Sequence, residues 1–342
     1  MTTDLAPPTG PYGAAAASRR PSLARAEVRR ITSRRFVRVL LLVALAGYAL
    51  FVGIAAATEF GRTTPDQVAA AEGRLDEAVA QQERARQLCL ADPGRPRDVP
   101  PEQVCGPETP AGAFRVSDFL DRQPFVLADQ LPDGAAGAAG VTAVLAFLLG
   151  ATYVGAEWSS RAMVALLFWE PRRVRVMAVK LGVLVAGAAL LAVVAQLLWW
   201  GTAAVMASRL GTTGPLPSGF YPDLLGRQGR AVVLTVLTSL LGFGLSNLVR
   251  NTGAALGVGF LWLAFVENVV RSLRPSWQQW LLSDNAAALM SDGAYRIQLP
   301  DSGGGRGREL ALSNLHGGLV LGGVAAVIVG VGVLLFARRD LH

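Results

Sequence analysis

The sequence predicts an all-α integral membrane protein, with six transmembrane helices, both termini cytoplasmic, and a large, partly helical extracytoplasmic loop after the first span. Two observations carry this. A helix needs roughly 20 apolar residues to cross ~30 Å of hydrocarbon, and uncharged stretches of that size lie at 39–58, 134–156, 181–208, 231–249 and 317–337. A sixth, 251–270, is interrupted only by Glu267. The charges between these stretches are also asymmetric. Segments 1–38, 157–180, 249–252 and 338–342 hold 16 Lys+Arg against 5 Asp+Glu, a balance of +11, and the rest of the 342-residue chain lowers this to the overall +7. Such an excess of arginine and lysine marks cytoplasmic segments. Because the basic residues sit beside spans, they point to membrane lipid as a partner and away from nucleic acid.

Taken in order, residues 1–20 are rich in Pro, Gly, Ala and Ser with no apolar period, the composition of a disordered tail. In 21–38, Arg25, Arg29, Arg30, Arg34, Arg35 and Arg38 alternate with apolar residues, which suits an interfacial helix on an anionic leaflet. The span 39–58 ends near Ala55-Ala56-Ala57, a small-residue pattern like a signal-peptidase site, but its apolar run is longer than a secretory signal requires. It is predicted to be an uncleaved signal anchor.

The segment 59–133 is predicted to be an extracytoplasmic cap. Its first half, 65–90, is rich in helix formers and opens with Thr64 as N-cap and Pro65 at the first helical position. A Pro/Gly-rich excursion follows. It contains Cys105, and the other cysteine is Cys89. A disulfide between them is favoured over two free thiols, and it would stabilise this loop if the compartment is oxidising.

Beyond the second span, 157–180 is too apolar for an ordinary loop and too charged to cross a bilayer. It opens with Glu157 and closes with Pro171, Arg172, Arg173, Arg175 and the only lysine of the chain, Lys180. Span three, 181–208, is about 42 Å of helix and must tilt or project from the bilayer. After the outer loop 209–230, spans four (231–249) and five (251–270) form a tight antiparallel hairpin. Gly242, Gly244, Gly253 and Gly257 on these spans, and Gly318 and Gly322 on span six, are small enough for close backbone approach. The loop 271–316 carries an interfacial SWQQWLL segment and the glycine run Gly303–Gly305, and the tail 338–342 closes the chain.

The chemistry that is missing narrows the function. A phosphate-binding loop needs a lysine directly after its glycines, and Lys180 sits in MAVKLGV. The two histidines, His316 and His342, are isolated, so no metal site and no Ser/His/Asp set can be assembled from sequence, and no catalytic residue is assigned. Glu267 and Gln196 are the candidates for lining a substrate path. Against this, Glu267 lies four residues before Arg271, the spacing of a helical ion pair, and Gln196, like Asn247, suits an interhelical hydrogen bond.

Three features of 155–180 resemble the membrane subunit of ABC-2 type ABC transporters: a Gly-x-Glu at Gly155 and Glu157, a leucine pair at Leu166 and Leu167, and a tail of Pro171, Arg173 and Lys180. The six-span layout, the large loop after span one and the terminal Arg338, Arg339 and Asp340 fit as well. Where that family often has a Gly-Thr pair, this chain has Arg161 and Ala162. The resemblance implies a coupling helix that docks on a separate P-loop ATPase subunit through Glu157, Arg161, Leu166, Leu167, Pro171, Arg173 and Lys180. It also implies ATP and Mg on that partner with no cofactor on this chain, a homodimer or heterodimer of permeases, export of an unidentified substrate, and residence in a bacterial cytoplasmic membrane. The alternative is a non-transporting scaffold or sensor whose cap binds a ligand. An ion-coupled transporter would need more intramembrane acids than the chain has.

Overall fold

The computed structural model describes residues 23–94, 100–106, 114–299 and 308–338. The tail 1–20, the glycine run Gly303–Gly305, Arg339 and Asp340 lie outside the described residues. A short helix, α1 (Leu23–Ser33), precedes α2 (Arg35–Thr58), followed by α3 (Pro65–Ala91) and a single turn, α4 (Pro101–Val104). Next come α5 (Leu127–Ser159), α6 (Ala162–Trp169), α7 (Arg173–Leu210) and α8 (Phe220–Val249). One span is built from α9 (Thr252–Leu261), a π-helical turn (Trp262–Val266) and α10 (Glu267–Leu273). The helices α11 (Leu282–Met290) and α12 (Asn314–Arg338) complete the set. Six of these helices are long and apolar enough to cross a membrane: α2, α5, α7, α8, Thr252–Leu273 and α12.

The helices outrun the apolar stretches that announce them. α5 begins at Leu127, not at 134, and passes through Pro132, while α7 begins at Arg173, not at 181. Hydropathy marks where side chains suit hydrocarbon; the backbone ladder continues until a turn interrupts it. As a result 157–180 is not a single loop. It divides into the last turn of α5, the eight-residue α6 and the first two turns of α7.

The centre of the bundle is the α5–α8 pair. A Cβ placed on Gly242 would lie 2.2 Å from the carbonyl oxygen of Phe147, so only glycine lets the two backbones come this close. Gly244 faces α12 at Ile328 and Val329. Gly253 and Gly257 do not behave as the sequence suggests. Gly257 has open space where a Cβ would stand, and the nearest atom to Gly253 is Oδ1 of Asn251, so within the chain this GxxxG packs against no other helix. Asn251 accepts the Ala254 amide at 3.0 Å and starts α9.

Two apolar clusters fill the ends of the bundle. One gathers Tyr153, Met163, Met177, Phe243 and Phe336 near the basic residues of α1 and those flanking α6. The other gathers Phe125, Leu131, Trp199, Met206 and Phe220 at the opposite end. There β1 (Phe125–Val126) pairs in parallel with β2 (Gly211–Thr212). At that end too, Thr64 and Gln67 exchange capping bonds, Thr64 accepting the Gln67 amide, and Pro65 opens α3. Cys89 and Cys105 are joined as a disulfide with Cα atoms 5.7 Å apart. The segment after α11 forms a hairpin of β3 (Tyr295–Leu299) and β4 (Arg308–Leu312), whose Ile297 and Leu312 pack on Ala288. α2 is peripheral. None of its apolar window is buried, and Tyr48 donates to Thr202 Oγ1 of α7 at 2.6 Å.

The glycine contacts separate two changes of equal size. Gly242→Ala drives a methyl into backbone and should destabilise the bundle by about 1–3 kcal/mol, whereas Gly257→Ala, which meets nothing, should leave the melting temperature in detergent unchanged or higher. Equal melting of the two variants would contradict the close α5–α8 crossing.

Candidate functional site

At the basic end, α1 lies across the ends of α5 and α7. Its Glu27 and Arg30 share one face at i and i+3, and Arg34 follows at the break between α1 and α2. Glu27 is the one acid among the six arginines of 21–38, and it is the only buried residue of α1. Its partner is Lys180, two turns into α7, whose ammonium lies 2.7 Å from Glu27 Oε2 and 2.7 Å from Glu157 Oε2 of α5. Glu27 and Glu157 are each 1% exposed, and Lys180 is 0% exposed.

The remaining carboxylate oxygens are engaged as well. Arg34 reaches Glu157 Oε1 at 3.0 Å, and Arg30 reaches Glu27 Oε1 at 3.1 Å. Arg34 also donates to the carbonyls of Thr152 and Tyr153 at 3.0 and 2.9 Å. The Tyr153 hydroxyl donates to Glu27 Oε2 at 2.8 Å, and its ring lies under the Lys180 ammonium at 5.0 Å. Two carboxylates thus meet three cations. Burying such charges is costly unless each is paired and hydrogen-bonded.

Gly155 and Glu157 face different neighbours. A Cβ on Gly155 would meet Ser246 Oγ at 2.2 Å and Thr252 Oγ1 at 2.4 Å, so this glycine seats α5 against the α8–α9 turn. Trp158, beside Glu157, donates to Asn247 Oδ1 at 3.1 Å, stacks edge-on to Phe336 and carries the Arg250 guanidinium over its ring at 4.5 Å. Arg250 takes φ of +56° to end α8.

Between these fixed ends stands α6, about 12 Å long. It is entered through Arg161, an exposed residue at φ +56°. Met163 is buried, and Leu166 and Leu167 are half-buried, Leu167 against the cluster of Tyr153 and Phe336. Phe168 points outward and is 85% exposed. Pro171 is exposed in the linker to α7, and Arg173 donates to the Phe336 carbonyl at 3.3 Å, near the C-terminus of α12.

The residues read as one contact surface therefore separate. Glu157 and Lys180 are internal and join helices, Arg173 serves α12, and Arg161, Leu166, Leu167 and Pro171 belong to α6 and its flanks. Phe168 was missed by the sequence reading. So was Glu27, although a lone acid at i−3 and i−7 from two arginines was the available signal.

The two intramembrane candidates are both bonded within the protein. Gln196 donates to the Ala135 carbonyl at 3.1 Å, joining α7 to α5. Glu267, 1% exposed, does not pair with Arg271. It accepts the Trp262 indole N–H at 3.1 Å and the backbone amide of Leu282 at 2.8 Å, and it also takes the Ser283 amide and hydroxyl. These amides open α11, where an acidic group also complements the helix dipole. Arg271 turns instead to Asp284 at 3.1 Å and the Ser283 hydroxyl at 2.9 Å. Burial raises the Asp284 carboxyl above its usual range, against the opposing pull of Arg271.

Among the described residues no group of three His, Cys, Asp or Glu could hold a metal ion. Comparison with protein-family models, curated proteins and solved structures finds no match to this chain.

Two outcomes follow from these contacts. Lys180→Met leaves two facing carboxylates short of their shared cation and should cost about 3–5 kcal/mol of stability, read as a lowered melting temperature in detergent; wild-type melting would mean the cluster is not closed in solution. Glu267→Ala orphans the first amides of α11 and should cost about 1–3 kcal/mol, with faster hydrogen exchange confined to 282–290; unchanged exchange there would reject the capping role.

Proposed function

We propose that this chain is the membrane-spanning subunit of an ATP-driven ABC-2 type exporter in a bacterial cytoplasmic membrane, working as a permease homodimer or heterodimer. A separate P-loop ATPase subunit would bind ATP and Mg. The observation that carries this is α6: a short, wholly apolar helix between two spans, with Phe168 85% exposed and a rim of exposed Arg161, Arg172 and Arg175. An apolar residue ringed by charges at the bundle's basic end fits a protein partner.

The mechanical side of the proposal rests on how α6 is mounted. Its flanking helices, α5 and α7, are clasped through Glu157 and Lys180, and both are tied to α1 through Glu27. A load applied at Phe168 would reach α1, α5 and α7 together, and Trp158 would carry it to α8 and α12. In this scheme Glu157 and Lys180 transmit force without touching the partner. The contact itself falls to Phe168, Arg161 and the exposed arginines.

The test is co-purification of ATPase activity with the tagged full chain. Phe168→Glu should weaken that association by about 2 kcal/mol, or roughly thirtyfold, while the melting temperature of the chain stays as in wild type. Association that survives both Phe168→Glu and Arg172→Glu would defeat the docking assignment. A chain that carries no ATPase at all would favour the scaffold or sensor alternative.

A further inference from the structure

A groove of about 600 Å3, within the range of ligand sites, opens between α5, α8, the span Thr252–Leu273 and α12, and is roofed by the segment Trp280–Ala286. Two fixed points hold it open. Near the middle of the bundle Gly259 abuts the Phe147 ring, where a Cβ would come within 2.5 Å. Beyond the π-helical turn, Glu267 ties the same span to α11. Between these points the span and α8 face each other across the groove.

The walls can satisfy only an apolar guest. Val144, Phe147, Leu241, Val258 and Leu263 line the groove, and of these Val144, Val258 and Leu263 are exposed, so its mouth opens sideways, toward lipid. The hydroxyls that reach it are already committed, Thr238 to the Leu234 carbonyl and Ser283 to Glu267, and the Trp262 N–H is held by Glu267.

Length and charge indicate which apolar molecule fits. Along α8 the groove runs from Leu234 to Leu245, about 16 Å of helix, close to the ~15 Å depth of one leaflet's hydrocarbon. At the roof, Trp277 and Trp280 are exposed, the placement of indoles at a headgroup boundary. Arg274, exposed at the end of the span, stands at the same level beside Arg271. We propose that the groove holds one acyl chain of a phospholipid from the leaflet on the α11 side, with its phosphate beside Arg274. This does not depend on the exporter assignment, because it uses no residue of α6 or the charge cluster.

The test is photolabelling of the full chain in phosphatidylglycerol vesicles doped with a phosphatidylglycerol that carries a mid-chain diazirine. Adducts mapped by mass spectrometry should be severalfold enriched at Phe147, Leu241 and Leu263 over Leu190 and Leu197, which lie exposed on α7. Gly140 lines the groove and a Cβ there meets nothing within 4 Å, so Gly140→Phe should narrow the groove and reduce these adducts severalfold. Gly137→Phe, on the same helix with equally open surroundings but outside the groove, should leave them intact. Equal labelling of the groove and of α7 in the wild-type chain would overturn the proposal even if Gly140→Phe failed to fold. Groove adducts undiminished in a folded Gly140→Phe variant would also overturn it.

Discussion

The bond set around Lys180 governs how this bundle closes at its basic end. An ammonium with no exposure has lost its water, and two carboxylates at 2.7 Å replace that water. Each carboxylate comes from a different helix, so satisfying one charge fixes three elements, α1, α5 and α7, in register. Small slippage of any of them would strand a buried ion, and an uncompensated buried charge is among the most destabilising defects a protein can carry. Packing alone would tolerate more sliding, since the helix faces nearby are rich in Ala, Val and Leu with little shape to distinguish one turn from the next.

The opposite end relies on a different solution to the same problem. There a single carboxylate, Glu267, accepts the backbone amides of α11, and Arg271 is released to hold Asp284. The π-helical turn before Glu267 shifts the register of the span just where the carboxylate must reach out of it. One end is thus locked by charge against charge, and the other by charge against helix terminus. Between them Gly150 and Gly242 let α5 and α8 cross backbone to backbone, where there is no side chain to lock.

The parts of this architecture that depend on local composition were legible in the sequence. Six apolar runs became six long helices, because 20 residues of hydrocarbon-compatible side chain leave few alternatives. Thr64 and Pro65 start α3 through contacts within three residues. What depends on distant partners was not legible. Lys180 reads as part of a basic stop after a span until Glu27, 153 positions away, is brought against it. The i,i+4 spacing of Glu267 and Arg271 suggested a pair, yet amides 15 and 16 positions on compete successfully for the carboxylate. Gly253 and Gly257 share the spacing of a packing motif, but no helix lies over them. The β3–β4 hairpin gave no warning, since its strands flank a glycine-rich stretch with weak alternation.

That the only lysine is the buried one has a consequence for the rest of the surface. Of the 32 basic side chains, every one but Lys180 is arginine, and a guanidinium does not lose its proton at any pH a protein meets. The charge asymmetry between the two ends of the molecule is therefore permanent on its positive side. Neither alkaline conditions nor acylation of lysines could erase it, and the one side-chain amine that could be neutralised is the one solvent does not reach.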